Sequence, residues 1–252
     1  ERAGFHEYTF NNLNEKKYIL IDLDHRDQVL SSNFEIIDDY SIAGSRISSS
    51  WASKQEFYFY LETDVPHQKV KIITKDGKNK MLITFPKETV KLNLKVGMSA
   101  VDTKGAENNL KKEIPNWNFN IIRGETTRKW NKELDKIYFY TPDKEVMFNF
   151  YTAFYHALLN PNVFTDVDGR YRGMDNNIHQ LLEGEDRTYT VFSLWDTYRA
   201  LHPLLTLTHK DKTNEFINTF LRQYEQSGDL PVWELAGNET NCMIGYHSVS
   251  VI

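Results

Sequence analysis

The chain has 252 residues, 40% of them hydrophobic and 13% aromatic, enough for one large domain or two modest ones and too apolar for a disordered chain. Its 30 Lys and Arg against 35 Asp and Glu leave a net charge near −5, so no basic field exists to hold a nucleic-acid backbone or an anionic membrane. No stretch approaches the ~20 consecutive apolar residues of a membrane span, Glu1 to Phe10 lack the basic start and apolar middle of a signal peptide, and a lone cysteine, Cys242, excludes an internal disulfide and a cysteine-based zinc site.

Short alternating runs between turn signals predict strands at Lys17–Leu23, Glu56–Glu62, His67–Ile73, Lys80–Phe85 and Val90–Val96, with Asp76–Asn79 as a hairpin turn. In the last run Val90, Leu92, Leu94 and Val96 share one face and Lys91, Asn93 and Lys95 the other, the pattern of a sheet with one wet side. Strands at this spacing predict a β-sandwich. From Asp102 the period changes. Gly105–Ile114, followed by Pro115, reads as a helix that the proline stops, a second helix runs from about Thr126 to Leu134, and Lys136–Tyr140 and Glu145–Asn149 read as a strand pair. Phe150–Leu159, Thr190–Leu207 and Asp211–Tyr224 bring apolar residues together at intervals of three and four, with Phe216, Ile217, Phe220, Leu221 and Tyr224 as the stripe of the last helix. The fold class is therefore α+β with two modules: a sandwich over 1–102, a connector over 103–149 and a helical module over 150–252.

Asp166–Asp175 packs three carboxylates, two arginines and two glycines into ten residues, which predicts an exposed loop held by Asp-to-backbone and Arg-to-Asp hydrogen bonds. It is not an EF-hand, because Tyr171 stands where the turn glycine belongs. In Ser193–Ala200, Trp195 and Asp196 are adjacent on a helix and Arg199 follows within one turn. Either Trp195 is buried beside an Asp196–Arg199 ion pair, or Trp195 is a flat platform and Asp196 accepts hydrogen bonds from sugar hydroxyls. Trp233–His247 joins Glu239, Asn241, Cys242 and His247, a polar set that either lines a wet pocket or is internally paired. Glu239 is a candidate acid, base or hydroxyl acceptor. The spacing of Cys242 and His247 gives no geometry for a thiolate nucleophile, and a lone cysteine is usually an inert small core residue. The sequon at Asn238–Thr240 contradicts a pocket role and is taken as chance. Trp51, in a small-residue loop, either exposes an apolar face or folds over the sandwich edge.

The runs Ile21–Asp27, Gly44–Gln55, Gly105–Pro115, Phe150–Pro161, Asp166–Asp175, Tyr189–Leu204 and Gly237–His247 resemble, in order, the bacterial exo-acting α-mannosidases of glycoside hydrolase family 92. The resemblance implies a β-sandwich followed by an (α/α)6 helical barrel, with the active site at their interface and a calcium ion (Ca2+) on the mannose hydroxyls. It implies inversion, which requires a carboxylic acid and a separate carboxylate base about 6.5 to 9.5 Å apart. On it, Trp195 and Asp196 line the mannose subsite, Glu239, Asn241 and His247 belong to its wall, and Trp51 is the sandwich's contribution. Mannose-containing oligosaccharides or N-glycans are the implied substrates and the periplasm, cell surface or exterior the implied location.

Family members are longer at both ends, so the chain reads as an internal fragment whose acid, base and most calcium ligands lie downstream. No catalytic pair is assigned, and Glu239 is the one carboxylate considered as an acid. An incomplete ring of helices is expected to behave poorly in solution. The competing readings are a non-catalytic carbohydrate-binding or scaffold protein derived from such an enzyme, and, by fold analogy, a helical-toroid lyase or phosphorylase.

Overall fold

Alternation of apolar side chains drives the first hundred residues into two facing antiparallel sheets. The computed structural model describes residues 1–12, 14–75 and 78–252, so the turn residues Asp76 and Gly77 of the expected hairpin lie outside the described residues. The strands are β1 (Ala3–Thr9), β2 (Lys17–Asp22), β3 (Gln28–Ile36), β4 (Ser41–Ser49), β5 (Gln55–Thr63), β6 (Lys69–Lys75), β7 (Lys78–Phe85) and β8 (Lys91–Ser99). One sheet runs β1-β8-β5-β4-β3 and the other β2-β7-β6. Met81, Ile83 and Phe85 of β7 are fully buried against Ile42, Phe59, Leu61, Leu92 and Leu94 of the larger sheet, which is the sandwich core.

The outer face of the larger sheet is not wet. Helix α1 (Thr103–Glu113) lies across it, burying Ala106, Leu110 and Ile114 on Ala43 and Tyr60. Gly97 makes this possible, since a Cβ there would sit 2.1 Å from the Ala106 carbonyl oxygen. Asn93 and Lys95, expected in solvent, are both buried: Asn93 is held by Asp64 (2.8 and 2.7 Å), while Lys95 Nζ at the end of the helix bonds the Ile114 carbonyl (3.3 Å), pairs with Glu62 (3.1 Å) and sits 4.0 Å from the Trp117 ring centre. Val90, expected in the core, is instead exposed just before β8.

Helix α2 (Phe119–Leu134) begins earlier than expected because the Asn118 side chain caps it, accepting from Ile121 N at 3.1 Å. The expected strand pair at Lys136–Tyr140 and Glu145–Asn149 is absent. Asp143 accepts from the amides of Glu145 (2.9 Å) and Val146 (3.3 Å) and so starts helix α3 (Lys144–Ala157), while the segment before it is irregular.

Beyond α3 come β9 (Asn162–Val163), β10 (Arg170–Arg172), β11 (Ile178–Gln180), β12 (Tyr189–Thr190), β13 (Phe192–Ser193), α4 (Leu194–Thr197), α5 (Leu201–Thr208), α6 (Lys210–Ser227), β14 (Trp233–Leu235), β15 (Asn238–Glu239) and α7 (Ser248–Val251). Thr190–Leu207 is thus two strands and two helices and not one helix. Val191 is left-handed (φ 69°), which no helix tolerates at its start. A second core gathers Tyr189, Phe192, Leu194, Leu205, Phe216 and Phe220. Of the expected α6 stripe, Phe216 and Phe220 point into this core but Leu221 and Tyr224 are exposed, the buried face including Thr213, Thr219 and Gln223. No helix among the described residues is long and apolar enough to cross a membrane.

His202 of α5 is buried edge-on to Phe216 and Phe220, at 6.2 and 6.4 Å, with its Nδ1 unpartnered among the described residues. Burial pushes it down from 6.5 to about 4. The stability this neutral ring contributes is complete above 6.5 and lost as pH falls through about 4. In the complete polypeptide, His202→Phe is expected to abolish a drop on the order of 3 kcal/mol in unfolding free energy over that window. Denaturant melts at stepped pH check this, and an equal acid loss in both proteins contradicts it.

Candidate functional site

The site is built where the two modules meet, and charged groups make the joint. The Asp166–Asp175 segment, expected to be exposed, is buried at its key positions. Asp166, 4% exposed, accepts from Ser99 Oγ (2.6 Å) and Asn109 Nδ2 (2.7 Å), and Asn109 Oδ1 accepts from Val167 N (2.8 Å). Burial pushes its carboxyl above the ordinary aspartate value. Gly105 admits it, since a Cβ there would lie 2.2 Å from Asp166 Oδ2. Arg172 is equally buried, donating to the Ala100 carbonyl (2.9 Å) and pairing with Glu56 of β5 at 3.1 Å. Burial raises Glu56, but hydrogen bonds from Lys54 and Tyr58 and the charge of Arg172 outweigh it and hold the group below the usual range. The expected turn bonds are present as well: Arg170 donates to Asp168 (2.8 Å) and reaches Asp102, the cap of α1, at 2.6 Å. Beside this joint lies a cleft of about 370 Å³ whose walls include Gln55, Glu56, Met98, Asp166, Thr190 and Ala236.

The same joint carries the β4–β5 loop onto the helical module. Asn238, buried, accepts from Ser53 Oγ (2.9 Å) and Lys54 N (3.2 Å) and donates to the Lys54 carbonyl (3.0 Å), so the sequon asparagine is a stitch between modules. Next to the stitch Trp51, 61% exposed, meets Trp233 edge to face at 5.4 Å. Glu239 stands on the other strand of the hairpin that carries Trp233. Its carboxylate accepts backbone N–H groups from Val232 (2.8 Å), Trp233 (3.1 Å) and Asn241 (3.1 Å), so it shapes the hairpin that presents Trp233. Asn241 itself is exposed and left-handed (φ 52°).

A second cluster stands beside the first. Trp195, partly buried on the one-turn helix α4, is covered by the Arg199 guanidinium at 4.3 Å. The expected Asp196–Arg199 pair is replaced by this cation–π contact, and Asp196, exposed, accepts from Ser193 Oγ. His247 stacks on Tyr198 at 4.2 Å with the rings 10° apart, and its Nε2 is buried without a partner among the described residues. Cys242 is exposed, not a core residue, and accepts from Thr240 Oγ1 at 3.1 Å. The clusters are joined by the sheet β13-β14-β15, in which Ser193 pairs with Trp233 and Glu234 with both Phe192 and Glu239. Among the described residues no three or more His, Cys, Asp or Glu side chains converge to hold a metal ion.

Trp233, Arg199 and Glu234 are not among the site residues expected from the sequence. Trp233 was visible as one end of the polar constellation. Glu234 gave only a weak signal, a carboxylate flanked by Trp233 and Leu235. It is fully buried, and burial pushes it up to about 7 against three hydrogen bonds that favour its charge. Its cost to stability is absent below the ordinary value of 4.5 and complete once pH passes about 7. Glu234→Gln is therefore expected to shrink the fall in melting temperature between about pH 5 and about pH 8. Thermal melts of both proteins across that range test it, and parallel curves argue against it.

Two family models span the chain: Glycosyl hydrolase family 92 N-terminal domain over residues 1–99 and Glycosyl hydrolase family 92 catalytic domain over residues 105–252. Among solved structures, a family GH92 alpha-mannosidase from Bacteroides thetaiotaomicron is similar at a TM-score of 0.91 and 34% identity, over 99% of this chain and 36% of its own. That enzyme is also known in complex with mannoimidazole, with the same TM-score of 0.91 and 34% identity, over 99% of this chain and 35% of its own. A family GH92 inverting mannosidase from Bacteroides thetaiotaomicron VPI-5482 shares the fold at a TM-score of 0.88 and 24% identity, over 99% of this chain and 35% of its own. The chain thus spans little more than a third of the length of these structures. No curated protein matches it by sequence.

Proposed function

The chain belongs to glycosyl hydrolase family 92, and from that premise we propose that the complete polypeptide is an exo-acting α-mannosidase that removes terminal α-linked mannose from mannosides or glycans with inversion. The observation that carries this reading is the meeting of Trp51 and Trp233 at the seam of the two modules, on the Glu239 hairpin, whose strand pairs Trp233 with Ser193 just before Trp195 and Asp196. Aromatic faces bind the apolar face of a pyranose, and the exposed carboxylate of Asp196 accepts hydrogen bonds from its hydroxyls.

The roles are those the family resemblance implies. Asp196 and the ring of Trp195 orient a terminal sugar; Asn241 and His247 close the wall; Trp51 brings the sandwich to the rim. Glu239 has its oxygens engaged by backbone amides, which suits it to holding the wall and not to delivering a proton. The acid and the base that inversion demands are therefore assigned outside this chain. For the calcium ion implied by the resemblance, no group of three or more His, Cys, Asp or Glu side chains converges among the described residues, and no step is derived through it. Most of its ligands are proposed to lie outside the chain, and export to the periplasm or cell surface is proposed on the same family ground.

The complete polypeptide is expected to cleave an aryl α-mannoside and mannosyl oligosaccharides, releasing the β-anomer first by proton NMR. Asp196→Ala is expected to lower kcat/KM by about a hundredfold, the loss of a charge-assisted hydrogen bond worth about 3 kcal/mol. No mannoside cleavage would sink the reading, mannose binding without turnover would favour a carbohydrate-binding protein, and turnover indifferent to a chelator would remove calcium from it.

A further inference from the structure

Glu234 stands at the centre of the sheet that joins the two clusters. It is 0% exposed, so an ordinary structural account must explain why a carboxyl group was put where an apolar residue would pack at no desolvation cost. Its hydrogen bonds supply the account. Oε2 accepts from Val191 N (3.0 Å), and Oε1 accepts from Thr190 Oγ1 (2.8 Å) and Gly237 N (2.7 Å). Thr190 Oγ1 in turn accepts from Ala236 N at 2.7 Å, so one carboxyl and one hydroxyl tie residues 190–191 to residues 236–237.

The backbone at both tied points is strained. Val191 (φ 69°) and Ala236 (φ 51°) are left-handed although neither is glycine, and Gly237 (φ 73°) follows. A left-handed conformation is unfavourable for an L-residue, more so when it is β-branched, and survives only where the surroundings over-determine it. The tied segments each lead directly into a wall of the site. Residues 190–191 pass through β13 into Trp195 and Asp196, and residues 236–237 form the turn of the hairpin that carries Trp233 and Glu239.

We propose that Glu234 is a positioning residue of the sugar site, its carboxyl group fixing the Trp195–Asp196 wall against the Trp233–Glu239 wall by holding strained backbone at both. The proposal rests on the reading of this seam as the sugar site. It assigns no contact with substrate to Glu234, which acts through the two walls alone.

The test uses the complete polypeptide with Glu234→Gln, which keeps the shape but turns an amide nitrogen towards one of the donors, and Glu234→Ala, which empties the knot. On an aryl α-mannoside, kcat is expected to fall at least about tenfold in both, with KM changing less, as small misplacements of positioning groups do. Hydrogen exchange is expected to quicken at the amides of Val191 and Gly237 and to spread into Leu194–Thr197 and Asn238–Asn241. Kinetics within about twofold of the parent in either folded variant overturn the proposal, as does faster exchange confined to residues 190–191 and 236–237. Collapse of the melting temperature in both variants, with activity tracking the folded fraction, assigns the carboxyl to stability and overturns it too. Exchange is read without substrate, so a parent that cleaves no mannoside refutes the sugar reading alone while the spread of exchange still decides whether Glu234 positions the two walls.

Discussion

A carboxylate taken out of water must find its hydrogen bonds in the protein or unfold it, and Asp166 finds them outside its own module, at Ser99 of the sandwich and Asn109 of the connecting helix α1. This demand orients the helical module on the sandwich. An apolar seam would tolerate sliding by a residue or a few ångströms, whereas a buried charge with short bonds to named partners has one position. Arg172 repeats the device from the same segment, meeting Glu56 and the Ala100 carbonyl. With both satisfied, the β4–β5 loop falls on Asn238 and Trp51 falls on Trp233.

Glycine is the counterpart of these charges. Gly97 lets α1 lie on the sheet and Gly105 lets Asp166 reach α1, so two missing side chains open the space that the polar joint fills. Both are ordinary backbone positions, chosen for room and not for a special turn. The left-handed residues work differently. Val191, Ala236 and Asn241 bend the chain around the walls of the site at a cost that the knot around Glu234 and the amides gathered by Glu239 offset.

Much of the sandwich was legible in the sequence because a strand with one face in the core alternates, and β2 and β5 to β8 do. β1, β3 and β4 were not, since β4 reads Ser41–Ser49 with small residues buried on both sides and no period to detect. The wet face expected for β8 failed for the same reason: alternation reports polarity, and a lysine that snorkels under a helix to a carbonyl, a carboxylate and an indole is polar and buried at once. Glu145–Asn149 was too short a run to separate strand from helix, and the cap at Asp143 made it the first turns of α3. At the site, Trp51, Trp195, Asp196, Glu239, Asn241 and His247 were all visible as residue types. What no local pattern reveals is that Trp51 finds its partner in Trp233, that Arg199 prefers a ring to Asp196, or that one glutamate among apolar neighbours is the fixed point between them.

The bonds from Asp166 back to Asn109 and Ser99 span 57 and 67 residues of chain. On the ribosome, α1 therefore emerges with its sheet face ready to pack and its bond to Asp166 still unmade, and it stays so until a long intervening stretch, including two further helices, has been made. During that interval Asn109 and Ser99 depend on water for the partners that Asp166 later supplies. The sandwich is thus born before its lock, and translation order itself gives the helical module the last word on where α1 rests.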